Sequence, residues 1–342
     1  RQRLGLEDSV DDLARALEAR VEKGTTVLTI EAAAPEPGQA AALANGIRDV
    51  FLERWIEHQS IAVADGAYHG SVLSFAVSNA PMLAPFHFDR FSYNDPASLE
   101  VIGKDTAAVL FEAMMGAGGC IPSTAEFRAS LRAACDRSGA LLVLDEVMTS
   151  RMSVGGAQQR FGLRPDLTTL GKYIAGGMSC GAFGGRADIM AAFDPAAGGL
   201  LAHGGTFNNN PLTMAAGAAV CGELLTPALL DDLYVRGESL RERIAAVLAK
   251  SSLPLAVAGM GSLMSLHTVR GPVTHPVTGA DLGLKNLLWH ELVHRGIYLA
   301  GRGYIALSLA ISAADCDRLV AALADSVAAL EALVAPQRLR PN

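Results

Sequence analysis

Short, almost continuously apolar segments alternate with helical patterns over residues 60–226 of this 342-residue chain. Buried strands are predicted over Ser60–Ala64, residues 107–112 and Leu141–Asp145, and an amphipathic helix is predicted over Ala125–Ser138. Strands that are apolar on both faces are typical of parallel sheets covered by helices. The sequence therefore predicts an α/β fold with a mostly parallel central sheet flanked by helices.

The predicted elements divide the chain into an N-terminal segment at residues 1–30, a large domain at 31–226 and a smaller C-terminal α+β domain at 227–342. The N-terminal segment has helical periodicity over residues 8–22. In the C-terminal domain, the pattern predicts a helix, a glycine-rich strand region, a second helix, a short strand and a final helix, over residues 229–250, 258–267, 284–295, 305–309 and 313–333.

The composition argues against several classes of protein. Half of the residues are apolar, so the chain can bury a sizeable core, and the net charge of −7 argues against a nucleic-acid-binding protein. No apolar run approaches the roughly 18–20 residues that span a membrane. The five cysteines are scattered and form no CxxC pair. We therefore expect no disulfide framework and a reducing compartment, the cytoplasm.

Acidic side chains follow three of the predicted strands, at the points where the strands end. Asp65 follows the first strand, Glu112 closes the second, and Asp145 and Glu146 close the third. The carboxyl ends of parallel strands meet at one edge of an open α/β sheet, and such sheets bind their ligands there. We therefore expect the functional site at this edge.

Two residues are candidates for cofactor chemistry. Asp145 ends an apolar strand, so its carboxylate needs a partner, which is either a pyridinium nitrogen of pyridoxal 5′-phosphate (PLP) or the turn that follows. Lys172 is one of only five lysines and lies among small and apolar residues in TTLGKYIAGG. A neutral amine in such surroundings can form a Schiff base. The alternative is a loop lysine whose charged end reaches water.

Five motifs occur in order along the chain: GAYHG at residues 66–70, YND at 93–95, DEVMT at 145–149, PDLTTLGK at 165–172 and GTFNNNP at 205–211. In this order they resemble the class III aminotransferases, which are fold-type I PLP-dependent enzymes. The nearest branch contains the glutamate-1-semialdehyde aminomutases and the β-amino-acid aminotransferases. The resemblance covers nearly the whole chain. It implies the fold of the fold-type I PLP transferases, PLP as the cofactor and a homodimer with a shared active site.

The resemblance also implies roles for the residues that match the motifs. Lys172 would form the Schiff base with PLP and carry a proton to and from the substrate carbon. Asp145 would pair with the pyridine nitrogen. Val147 and Tyr68 would lie on opposite faces of the cofactor ring, with His69 close by.

Three further residues are candidates for binding the phosphate or the substrate. By the same resemblance, Thr206 would donate to the cofactor phosphate from the neighbouring subunit. Arg302, in LAGRGY, matches a segment in which β-amino-acid aminotransferases carry a carboxylate-binding arginine, and a guanidinium suits a carboxylate. Otherwise, Arg302 is a surface arginine in a glycine turn. Glu112 is a substrate-side candidate with an open role, because Ala113 follows it where the family has proline.

The implied reaction is transamination between an amino acid or amine, including a β-amino acid, and a keto acid or aldehyde. Two alternatives stay open on the same fold. One is an aminomutase of the glutamate-1-semialdehyde type, although the segment around Arg302 differs from that of the aminomutases. The other is a non-catalytic relative that lacks the phosphate-binding segment.

A segment of the family pattern is missing ahead of the first buried strand. The family has a strand, loop and helix of roughly 20–25 residues there, and the amides that open this helix hold the cofactor phosphate. Here Trp55 is followed almost directly by Ser60. Either the sequence joins only the ordered residues of a longer natural chain, whose cofactor loop is disordered without PLP, or the protein lacks this phosphate cup. The absence of an initiator methionine and a second short connection near residues 102–105 favour the first explanation.

A zinc-protease signature is also present, as His290, Glu291 and His294 in HELVH. Both imidazoles would share one face of a helix, but no histidine follows His294, and the next glutamate, Glu331, lies along another predicted helix. We expect no metal site.

Overall fold

The computed structural model describes residues 17–21, 28–32, 59–75, 84, 86–197, 201, 203–277 and 279–334. The backbone divides into two units, Arg1–Ser60 and Ile61–Asn342. In the first unit, strand β1 (Leu17–Val21) pairs antiparallel with strand β2 (Leu28–Ala32). The predicted domain boundaries after residues 30 and 226 stay predictions.

The helix predicted over residues 8–22 is wrong at Leu17–Val21, because these residues form β1. Five consecutive residues pair with β2, from Leu17 opposite Ala32 to Val21 opposite Leu28. This ladder satisfies the backbone groups that a helix would have satisfied within the segment, so strand pairing overrides the local periodicity. The remainder of the predicted helix lies outside the described residues.

A six-stranded sheet forms the centre of the second unit. The strands between residues 60 and 185 are β3 (Ser60–Ala64), β4 (His87–Phe91), β5 (Thr106–Glu112), β6 (Met114–Met115), β7 (Ile121–Pro122), β8 (Leu141–Asp145), β9 (Leu167–Gly171) and β10 (Gly181–Gly185). The sheet order is β10-β9-β8-β5-β3-β4, and β6 pairs with β7 in a small separate sheet. The strands β5, β8 and β9 are parallel neighbours, whereas β10 is antiparallel to β9. The predicted α/β fold with a mostly parallel central sheet is confirmed.

Helix α1 (Ala125–Ser138) covers part of this sheet and has the predicted bounds. The Thr124 side chain accepts the Phe127 N–H at 3.1 Å and so caps the helix, and Gly139 ends it with a left-handed φ of 82°. On the inner face, Phe127 contacts Tyr93 and Phe111, with ring centres 5.6 and 6.1 Å away. This aromatic cluster holds the helix against β5. The other α-helices among the described residues before 226 are α2 (Gly156–Phe161), α3 (Ala187–Met190) and α4 (Pro211–Ala219).

The C-terminal part has its own three-stranded antiparallel sheet and its own hydrophobic cluster. Its elements are α5 (Pro227–Leu248), β11 (Ala256–Met260), β12 (Leu263–His267), α6 (Leu282–His294), β13 (Tyr304–Ala306) and α7 (Ala313–Val334). The predicted glycine-rich strand region is therefore two strands, and Gly261, with a φ of 53°, turns the chain between them. Leu233, Leu240 and Ile244 of α5 pack against this sheet as part of the cluster.

In the part of the chain that the structure describes, no single helix is both long and apolar enough to span a membrane. The helices Pro211–Leu224 and Pro227–Leu248 meet the length and composition criterion only as a pair, and the pair is bent by 80°.

Candidate active site

The carboxyl ends of two neighbouring strands bring Glu112 and Asp145 together. Glu112 is the last residue of β5, Asp145 is the last residue of β8, and the two lie opposite each other in the parallel register. Both carboxylates are therefore at the sheet edge where the sequence predicts the site.

Asp145 is held as an ionised carboxylate by two donors. Its Oδ2 accepts Nδ1–H of His69 at 2.8 Å, and its Oδ1 accepts the backbone N–H of Val147 at 3.0 Å. Burial alone would raise the pKa of Asp145, but the hydrogen bond and charge of His69, the Val147 amide and the charge of Lys172 outweigh it and lower that pKa. The carboxylate is therefore negative at neutral pH and able to stabilise a cation.

Lys172 is the residue that directly follows β9. Its φ of 56° is left-handed, a conformation that costs a non-glycine residue about 1–3 kcal/mol and that is typical of functional positions. A Cβ added to Gly171 would meet the two Val147 methyl groups at 3.5 and 3.6 Å, so Val147 lies beside the backbone that leads into Lys172. The lysine side chain is exposed, and its charge acts on Asp145. The structure thus brings Lys172, Asp145 and Val147 together.

The loop after β3 carries Tyr68 and His69. Backbone hydrogen bonds close it, from His69 N–H to the Leu73 carbonyl at 2.9 Å and from Phe75 N–H to the Ala67 carbonyl at 2.8 Å. Tyr68 as a whole residue is 43% exposed, whereas the side chain of His69 is only 4% exposed. Nε2 of His69 is buried and has no hydrogen-bond partner among the described residues. The loop therefore offers one open aromatic ring and one anchored imidazole.

Glu112 contacts this loop. Its Oε2 accepts the Tyr68 N–H at 3.1 Å, and its Oε1 accepts the Gly116 N–H at 3.0 Å. Burial raises the pKa of Glu112, although the charge of His69 and the two amide donors act in the opposite direction. The substrate-binding role of Glu112 stays a prediction, and the contacts that the structure contains are with backbone amides.

Two predicted site residues are not joined to this cluster by hydrogen bonds in the part of the chain that the structure describes. Thr206 is exposed in a turn. Arg302 is exposed in the turn before β13, with its guanidinium 5.0 Å from the Tyr304 ring centre, and its carbonyl accepts Lys285 Nζ at 3.3 Å. Their roles with the cofactor phosphate and a substrate carboxylate stay predictions.

Sequence reasoning missed the surroundings of Arg302. Burial raises the pKa of the Cys120 thiol to about 12, and the charge of Arg302 opposes that shift. His267 at the end of β12 donates Nε2–H to the Gly119 carbonyl at 2.8 Å and so links the C-terminal sheet to the loop ahead of Cys120. No local pattern could signal this contact, because its partners are 148 residues apart in the sequence.

The HELVH motif lies in α6. There, the Glu291 carboxylate contacts the guanidinium of Arg295, one helical turn further on. Over the described ranges, no group of three or more His, Cys, Asp or Glu side chains could hold a metal ion. The phosphate cup was expected between Trp55 and Ser60, and residues 55–58 of this junction are outside the described residues.

Comparison with known proteins identifies the family. The family model described as aminotransferase class-III matches residues 47–327. The chain belongs to this family, and the predicted resemblance is confirmed.

Two curated proteins and two solved structures illustrate the similarity. The β-phenylalanine transaminase of Variovorax paradoxus is 47% identical over 282 residues, which are 81% of this chain and 65% of that protein. The crystal structure of the β-phenylalanine aminotransferase from that organism superposes with a TM-score of 0.77 at 45% identity, covering 84% of this chain and 68% of that one. A glutamate-1-semialdehyde 2,1-aminomutase of Sorangium cellulosum is 38% identical over 78% of this chain and 65% of its own length. A transaminase structure with PLP bound has a TM-score of 0.71 at 30% identity, covering 84% of this chain and 72% of that one.

The chain thus spans slightly less than two thirds of the length of the two curated relatives, at 65% in each case. Its fold is that of the fold-type I PLP transferases, since the same architecture is found in these solved structures.

The residues of the site fit PLP, the cofactor of this family. A pyridinium nitrogen needs an ionised carboxylate, and Asp145 is held ionised while each of its oxygens has accepted only one hydrogen bond, which leaves acceptor capacity. The aldehyde needs a primary amine, and Lys172 lies close enough for its charge to act on Asp145. The flat ring needs an apolar face, and the Tyr68 ring is open on the same side of the sheet edge.

We expect Asp145→Asn to lower the free energy of unfolding at pH 7 by an amount that shrinks in acid. Because the pKa of Asp145 is lowered in the folded protein, its ionised form contributes stability above the ordinary aspartate pKa. That contribution is lost as the pH falls through the folded pKa. Urea unfolding of the cofactor-free protein at several pH values from 7 down to about 3 measures the effect. Asp105→Asn, at an exposed aspartate in the turn before β5, is the control. A difference that grows towards low pH would contradict the assignment.

Proposed function

We propose that the protein is a PLP-dependent aminotransferase, which transfers an amino group between an amino acid or amine and a keto acid or aldehyde. The observation that carries the proposal is the meeting of Lys172, Asp145 and His69 at the carboxyl edge of a class III aminotransferase fold. When bound, PLP supplies an aldehyde that accepts the amino group and a protonated ring that withdraws electrons from the reacting carbon.

Asp145 would hold the proton on the ring nitrogen of the cofactor. Its lowered pKa keeps it negative, and a negative partner favours the protonated, electron-withdrawing form of that nitrogen. His69 stabilises this state because its Nδ1–H donates to Oδ2 at 2.8 Å. Val147 and the open ring of Tyr68 are the groups available to pack against the two faces of the cofactor.

Lys172 would supply the primary amine that holds the cofactor aldehyde and then act as the base at the substrate carbon. A general base must lie within hydrogen-bond reach of the proton that it removes. The backbone conformation of Lys172 supports this role. Its left-handed φ changes the direction of the chain immediately after β9, whose last residue, Gly171, is buried.

We expect Lys172→Ala to lower turnover by a factor of about 10²–10⁴ or more, because the base is removed. The wild-type protein mixed with PLP should develop the visible absorption band of lysine-bound cofactor, and an amino donor should bleach that band. Lys172→Ala should show neither change while its far-ultraviolet circular dichroism stays native. Lys104→Ala, at an exposed lysine ahead of β5, is the matched control and should behave like the wild type. Full activity in Lys172→Ala would overturn the proposal.

Arg302 would bind the carboxylate of the substrate, and a β-amino acid is the substrate class that we propose. The exposed guanidinium beside the Tyr304 ring supports this role, and its planar donors suit a carboxylate. The 47% identity to a β-phenylalanine transaminase supports the same substrate class.

We expect Arg302→Gln to lower kcat/KM for β-amino acids by about 10- to 100-fold, since a charge-assisted hydrogen bond contributes about 1.5–3 kcal/mol. The kcat/KM of an amine without a carboxylate should change by less than about twofold, because such an amine makes no ionic contact with Arg302 that the substitution could remove. The two substrates are compared on the same variant by steady-state kinetics, with Arg318→Gln, at an exposed arginine of α7, as the control. An equal loss for both substrates would show that Arg302 does not read the carboxylate.

We also propose a cytoplasmic homodimer in which Thr206 of one subunit reaches the cofactor phosphate of the other. Support comes from an apolar surface next to Thr206, where Phe207, Leu212 and Met214 are 83%, 70% and 41% exposed. The cytoplasmic location is supported by five free cysteines. Sedimentation velocity should give twice the chain mass, and Phe207→Ser with Leu212→Ser should shift the protein towards monomer. A wild-type monomer at micromolar concentration would refute the dimer.

An aminomutase is the second candidate, because a glutamate-1-semialdehyde 2,1-aminomutase is 38% identical to this chain. The two reactions differ in their need for an acceptor. A transaminase stops after one half-reaction when no keto acid or aldehyde is added, whereas an aminomutase continues to turn over. A protein that binds no PLP at any concentration would instead be a non-catalytic relative.

A further inference from the structure

We propose that Glu112 is a positioning residue that aims the Tyr68 ring at the cofactor and does not itself contact the substrate. The inference rests on the proposed function, since it concerns how this chain prepares its cofactor site. It gives a role to Glu112, a buried carboxylate at the sheet edge for which the transamination chemistry has no use.

Each carboxylate oxygen of Glu112 accepts one hydrogen bond from a backbone amide. Oε2 accepts the Tyr68 N–H at 3.1 Å and Oε1 accepts the Gly116 N–H at 3.0 Å. The residue is only 6% exposed, so these bonds form away from water, where an unpaired amide would be costly. A single side chain thereby joins the loop after β3 to the turn after β6.

Consecutive loop residues are tied to neighbouring strand ends. The backbone of Tyr68 is bound to Glu112 at the end of β5, and the side chain of His69 is bound to Asp145 at the end of β8. Since Glu112 and Asp145 are register partners, the two ties are side by side. The sheet edge therefore fixes both the position and the rotation of the Tyr68–His69 segment.

The orientation of the Tyr68 ring depends on these two hydrogen bonds, because the side chain itself has no hydrogen-bond partner among the described residues. The residue as a whole is 43% exposed. The direction of the Tyr68 side chain is therefore set by the conformation of its backbone. Loss of the Glu112 tie would therefore misdirect the ring while leaving its chemistry unchanged.

Only a glutamate fits the two amides. Glutamine would present an NH₂ group to one of the N–H donors, and two donors repel each other. Aspartate is one methylene shorter and would reach one amide at most. We therefore expect Glu112→Gln to release the loop and Glu112→Asp to have an intermediate effect.

Hydrogen exchange in the cofactor-free protein tests the tie directly. Glu112→Gln should speed exchange of the Tyr68 and Gly116 amides by at least about tenfold, as expected when a buried hydrogen bond is lost. The matched control is Glu146→Gln, because Glu146 is also a buried carboxylate that accepts two backbone amides, those of Ala157 and Gln158 at 3.1 and 2.8 Å. It should not speed exchange at Tyr68. Unchanged protection of Tyr68 in Glu112→Gln would overturn the inference.

A double-mutant cycle on cofactor affinity tests whether Glu112 acts through Tyr68. We expect Tyr68→Ala to raise the PLP dissociation constant by about tenfold, because an aromatic contact is lost, and Glu112→Gln to raise it by about threefold to tenfold. The double variant should be no weaker than Tyr68→Ala by more than about twofold. Effects that multiply would mean that Glu112 acts independently of the ring and would overturn the inference.

The two tests separate this inference from the proposed function. If the wild-type protein binds no PLP, the proposed function fails, while the exchange experiment still decides whether Glu112 holds the loop. If the wild type binds PLP and Glu112→Gln binds it equally well, the positioning role fails and the proposed function stands. A general loss of stability would affect Glu146→Gln equally, and so that variant separates destabilisation from positioning.

Discussion

Two carboxylates buried side by side at the ends of parallel strands require donors to reach both of them, since a buried charge without partners is strongly unfavourable. In this protein, Asp145 receives the imidazole of His69 and the amide of Val147, and Glu112 receives two further amides. These donors come from the loop after β3 and from the turns after β6 and β8. The conformations of those loops are therefore consequences of satisfying this pair.

The pKa values of the two carboxyl groups shift in opposite directions because their donors compensate burial to different extents. For Asp145, the hydrogen bond and charge of His69 outweigh burial, so its pKa falls. For Glu112, burial is dominant, so its pKa rises. Asp145 can therefore stabilise a cation, whereas Glu112 accepts hydrogen bonds from backbone amides. His69 connects them, because it donates to Asp145 and its charge also favours the ionised form of Glu112.

The central sheet was predictable because its strands carry a local signal. Continuous apolar runs ending in acidic residues marked Leu141–Asp145, and Thr124 with Gly139 mark the two ends of helix α1. Local periodicity failed at Leu17–Val21, where pairing with Leu28–Ala32 determined the structure. Part of the candidate site was also predictable, since Lys172 and Asp145 lie in motifs whose order along the chain matches the family. The donors to Glu112 were not, because Tyr68 is 44 residues away in the sequence.

Motif order and apolar periodicity are properties of the chain read in one dimension, so they were sufficient to predict the family, the parallel sheet and the residue types at its carboxyl edge. The pairing of Asp145 with His69, the contact of Glu112 with backbone amides and the hydrogen bond from His267 to the Gly119 carbonyl became visible only in the folded protein. Hydrogen bonds and burial depend on distance in space, and folding brings atoms of residues tens of positions or more apart within hydrogen-bond distance of one another.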